Sequence, residues 1–127
     1  MMEITQNGYS GTPLAKKLGI KPGAVIGLVN APSYYLQLFT DLPLDVVFRN
    51  DGTVKKDIIH FFTKQQIELI NLLPLLKRQI LSNGAIWVSW PKKASKVPTD
   101  VTEDIIRNYA LSIGLVDIKV KTKVDDH

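Results

Sequence analysis

The stretch NGAIWVSWPKKASKVPTDVTED, residues 83–104, reads in order as a turn, a buried strand, a basic loop and a helix start. No other part of the chain constrains the fold as much. A strand that leads through a loop into a helix is part of a βαβ pattern, and in an open α/β sheet ligands bind where loops leave the C-terminal ends of strands. Trp87 and Trp90 are three residues apart, so within a strand they point to opposite faces and require packing on both.

The rest of the chain alternates in the same way. Residues 24–30, AVIGLVN, form a continuous apolar run that suits a strand buried on both faces. A helix is expected over 32–39, stopped by Asp41-Leu42-Pro43, followed by a second strand over 44–48, a turn at 49–52 and a third strand over 57–63. Residues 64–81 carry Ile67, Ile70, Leu73, Leu76 and Ile80 near a 3.6-residue period. Pro74 lies inside that run and removes the bond to Ile70, which predicts a kink or a split helix. Asn83-Gly84 reads as a turn before a fourth strand over 85–90. The next helix is expected to open near Thr99 or Asp100, where Asp100 and Glu103 have capping-box spacing, and to end at Gly114. Residues 116–124 set Val116, Ile118 and Val120 against Asp117, Lys119 and Lys121, the pattern of an edge strand with one wet face. Upstream, Thr12 caps and Pro13 opens a short helix that ends at Gly19.

These elements predict an α/β protein: a three-layer Rossmann-like sandwich with a mostly parallel five-stranded sheet in the order 2-1-3-4-5. A polar N-terminal arm at 1–11 precedes a single domain at 12–127. The step from the second to the third strand is too short for a crossover helix, so either an irregular loop makes it or the second strand runs antiparallel.

Composition bounds the function. A chain of 127 residues with 45% hydrophobic and 22% charged residues supports one globular core. It has no cysteine, which excludes disulfides, thiolate nucleophiles and cysteine metal sites and fits a cytoplasmic location. The first residues lack a signal-peptide pattern, and no apolar run reaches the roughly 20 residues that would span a bilayer. The net charge of +4 comes from scattered lysines, so solubility is their first role and nucleic acid is a disfavoured partner, at most weakly bound.

GYSGTPLAKKLGIKPG at 8–23, and IWVSWPKK with TDVTED within 86–104, resemble the bacterial family known as domain of unknown function 3052. The resemblance runs over nearly the whole chain and implies a fold and a bacterial origin but no chemistry. It also implies a closing element beyond His127. A looser similarity, over 57–92, is to class I S-adenosylmethionine-dependent methyltransferases, whose stretch from fourth to fifth strand shares the Asn83-Gly84 turn and a strand ending at a proline. Those enzymes follow their first strand with a glycine-rich turn. Here the turn is Asn30-Ala31-Pro32-Ser33-Tyr34, whose side chains and fixed proline ring obstruct a cofactor.

No phosphate-binding glycine motif is present, and Gly8-Tyr9-Ser10-Gly11 lacks the strand that a serine nucleophile elbow needs. His60, mid-strand, reads first as a hydrogen-bonded core residue and second as a general base near the strand ends. Two distant histidines make no metal triad, and no cofactor is implied. The candidate ligand-binding residues are Asn30, Ser33, Thr63, Trp90, Lys92, Lys93 and Ser95, gathered where strands end and the basic loop begins. No catalytic residue is assigned. The leading reading is a non-catalytic binding or interaction module for an anionic small molecule or a protein partner. The alternatives are a divergent methyltransferase-like enzyme and a weak nucleic-acid binder.

Overall fold

The structure, a computed structural model, describes residues 2–5, 13–91 and 95–115. In chain order its elements are β1 (Met2–Thr5), α1 (Leu14–Leu18), β2 (Val25–Val29), a short 3-10 helix (Tyr35–Leu38), β3 (Val47–Phe48), β4 (Lys56–Phe62), α2 (Gln66–Gln79), β5 (Ile80–Ser89) and α3 (Glu103–Ser112). The strands lie in the order β1-β5-β4-β2-β3, and every neighbouring pair is parallel.

The four strands expected between 24 and 90 are therefore present in the expected order, and the open question of the second strand's direction resolves as parallel. The strand expected over 116–124 lies outside the described residues, as do 6–12. The arm expected over 1–11 is corrected in one respect: Met2–Thr5 is a strand that runs beside β5, with Met2 opposite Ile86 and Thr5 opposite Ser89.

Alternation along the strands divides the core between the two faces of the sheet. Ile59, Phe61, Ile86, Val88 and Trp90 pack with Leu69, Leu73 and Leu76 of α2 and with Ile106 and Ala110 of α3. Ile26, Ile58 and Trp87 pack on the other face with Ala15 and Leu18 of α1. Trp87 and Trp90 thus lie in different clusters, as their spacing requires.

Several boundaries differ from expectation. The helix expected over 32–39 is only a 3-10 turn, held by bonds from Tyr35 N to Pro32 O and from Gln37 N to Tyr34 O. So short and aromatic a segment does not repay α-helix nucleation. The second strand shrinks to Val47–Phe48 because Asp45, at φ 62°, turns the chain just before it.

Pro74 does not split α2, which runs unbroken from Gln66 to Gln79. The carbonyl of Ile70, which has no N–H partner at Pro74, accepts the Tyr109 hydroxyl at 3.0 Å instead. Asn83-Gly84 is no turn but part of β5, which bulges against β4: Lys56 faces Ile80, and Ile58 already faces Ala85.

The expected capping box at Asp100 is also corrected. Thr102 caps α3, its side chain accepting from Ile105 N, while Asp100 accepts from Gln66 N at 2.8 Å and so caps α2. At α1 the amides of Ala15 and Lys16 donate to the Asp41 carboxylate, 3.2 and 3.1 Å away, and Gly19 ends the helix at φ 78° as expected.

Candidate functional site

A cleft of about 390 Å³ opens at the C-terminal ends of β2, β4 and β5. The chain leaves β2 toward β3 on one side and continues from β4 to β5 on the other, so the cleft stands where the strand order reverses. In open parallel sheets this reversal leaves adjacent loops diverging, and the gap between them is where ligands bind.

The cleft brings together three of the residues expected from sequence. Asn30 leaves β2, Thr63 leaves β4 and Trp90 leaves β5, and all three line it. Ser33 is exposed and lies outside the lining. Ser95 is also outside, although it supports the wall by accepting from the amide of Val97, which does line the cleft. Lys92 and Lys93 fall outside the described residues.

Each polar group here is held by a local reason. Asn30 sits at φ 57°, a left-handed conformation that asparagine tolerates better than most side chains. Its Nδ2 donates to the Phe62 carbonyl at 3.2 Å, which ties the end of β2 to the end of β4 and leaves a second N–H. The buried Thr63 hydroxyl is engaged in both senses, donating to Gln65 O at 3.2 Å and accepting from Gln65 N at 3.4 Å. Thr63 N also donates to Ser89 O at 3.0 Å. Thr63 therefore shapes the loop rather than offering a free group. Lys64 and Glu68 line the same cleft, and neither is ion-paired among the described residues.

Beside the cleft lies a buried polar chain that sequence reading found only in part. His60 is buried in mid-strand, with Nδ1 3.0 Å from the Tyr35 hydroxyl and Nε2 2.8 Å from Ser89 Oγ. Phe62 stacks on its ring at 4.2 Å, and Tyr35 meets both rings edge-on. Burial pushes the Tyr35 phenol well above its ordinary value, so Tyr35 keeps its proton. Ser89 lines the cleft as well. It was missed because a serine inside an apolar strand carries no local signal until β4 brings His60 beside it.

Among the described residues no cluster of three or more histidine, cysteine, aspartate or glutamate side chains could hold a metal ion. None of their helices is long and apolar enough to cross a membrane. No family model matches the chain, and no match is found among curated proteins or solved structures.

Proposed function

We propose that this chain is a non-catalytic binding domain whose switch-point cleft takes an anionic small molecule, on a Rossmann-like three-layer sandwich of bacterial origin with a five-stranded sheet. The observation that carries the reading is the position of the cleft at the strand-order reversal, with Asn30, Thr63 and Trp90 at its rim. Lys64 supplies positive charge, while Asn30 and Ser89 supply neutral donors. Two features oppose an anion held by the α2 helix terminus: Asp100 already occupies the Gln66 amide, and Glu68 adds a carboxylate to the lining. Charge and side-chain donors, rather than the helix dipole, therefore hold the ligand. A crystal soaked with a mixture of nucleotides and carboxylate metabolites tests this. Density in the cleft supports the reading, and an empty cleft with ligand elsewhere refutes it.

A second reading, a divergent methyltransferase-like enzyme, draws on one observation. Asn30, in the turn where such enzymes carry a glycine-rich stretch, adopts a left-handed backbone of the kind glycine favours. Asn30 and Pro32 nevertheless place side chains in the cleft lining, where a cofactor would need open backbone. Calorimetry with S-adenosylmethionine and S-adenosylhomocysteine decides it, and absence of heat at roughly millimolar concentration ends it.

A further inference from the structure

We propose that Tyr35, His60 and Ser89 form a one-way hydrogen-bond chain that presents the Ser89 hydroxyl proton to a ligand oxyanion, a carboxylate or phosphate oxygen. This rests on the binding reading above and assigns its specificity-determining donor. The argument begins at the far end of the chain. Tyr35 is buried, and its hydroxyl has one partner among the described residues, His60 Nδ1. If Nδ1 carried the imidazole proton, the Tyr35 O–H would have to accept, and its own proton would be stranded in an aromatic pocket of His60, Phe39 and Phe62. Burying an unpaired donor is the more costly arrangement, so Tyr35 donates and Nδ1 accepts.

The rest follows from the chemistry of a neutral imidazole. With Nδ1 accepting, Nε2 bears the proton and donates to Ser89 Oγ at 2.8 Å. Ser89 then acts as acceptor toward His60, and its own O–H has no acceptor among the described residues, while Ser89 itself, 3% exposed, is among the residues that line the cleft. Donors aligned head to tail polarise one another, which strengthens the last one. The same order argues against Ser89 as a nucleophile, because a protonated Nε2 cannot take its proton. His60 is thus a positioning residue, and Ser89, the second N–H of Asn30 and Lys64 supply three donors for an oxyanion, opposed in the same lining by the Glu68 carboxylate.

The test has two readouts on the full chain. A long-range ¹H–¹⁵N spectrum at neutral pH is expected to show His60 as the neutral tautomer protonated at Nε2. Protonation at Nδ1, or covalent labelling of Ser89 by a fluorophosphonate, overturns the proposal. Titration with inorganic phosphate and, separately, with acetate distinguishes the two oxyanion sources. Ser89→Ala is expected to weaken whichever binds by roughly 10- to 100-fold, the worth of one charge-assisted hydrogen bond. Tyr35→Phe is expected to weaken it by a smaller factor while redistributing the His60 tautomers. If the unaltered chain binds and Ser89→Ala binds equally well, this inference fails and the binding reading stands. If the unaltered chain binds neither probe, both fall.

Discussion

Replacing Gly84 with alanine should destabilise the protein, and the sign of the effect is diagnostic. Gly84 sits in the bulge where β5 slips against β4. A Cβ there would lie 2.7 Å from the Asp57 carbonyl oxygen and 2.8 Å from Ile80 Cγ1. Ile80 has a side chain that can rotate away, but the carbonyl belongs to the neighbouring strand and moves only if the sheet moves. Overpacking of this kind costs about 1–3 kcal/mol. The opposing effect is the reduced freedom of the unfolded chain, which favours alanine by about 0.4–1 kcal/mol where the native backbone permits it. The steric term is the larger, so the variant should lose up to about 2.6 kcal/mol net, or up to roughly 10 °C in melting temperature for a chain this size. Thermal melts followed by far-ultraviolet circular dichroism, with urea titrations at fixed temperature, measure it. A Gly84→Ala protein that melts at or above the parent temperature would refute the close approach and with it the register of the bulge.

Other consequences are as direct. Asp100→Ala removes the acceptor for the Gln66 amide and should cost about 0.5–2 kcal/mol, with faster amide exchange confined to the first turn of α2. Leu73→Ala opens a void in the fully buried α2 face and should cost about 2–5 kcal/mol by urea denaturation. Burial raises the Tyr35 pKa above its unfolded value of 10.0, so its contribution is complete below pH 10 and lost as pH rises, when the unfolded chain sheds that proton first. Tyr35→Phe should therefore flatten the alkaline loss of stability relative to the parent. Glu68→Gln removes the carboxylate from the cleft and should tighten acetate or phosphate by about two- to fivefold, measured by titration.

The parts of the fold that were legible from sequence rest on local periodicity. The apolar runs that became β2, β4 and β5 and the opposite faces of Trp87 and Trp90 needed only side-chain alternation, whereas the stripe expected on α2 holds only in part: Leu73 and Leu76 are buried together with Leu69, while Ile67 and Ile70 are exposed. What escaped depends on partners distant in the chain. Asp100 looked like the cap of the helix it precedes but serves one that begins 34 residues earlier. Pro74 read as a kink or a split, and the helix does not split: Tyr109 reaches across from α3 to satisfy the carbonyl that the proline orphans. The glycine of Asn83-Gly84 looked like a turn, but it permits a close approach between strands. The cleft was legible in outline because Asn30, Thr63 and Trp90 each follow a strand that ends at the same edge. Its polar chain was not, since Tyr35, His60 and Ser89 meet only once the sheet has formed.

The most direct test of the switch-point cleft is a ¹H–¹⁵N correlation spectrum recorded as inorganic phosphate or acetate is added to roughly millimolar concentration. The account expects saturable shifts concentrated on Asn30, Thr63, Lys64, Ser89 and Trp90, with β3 and α1 undisturbed. Saturable shifts centred on another surface, or none for either anion, would contradict it.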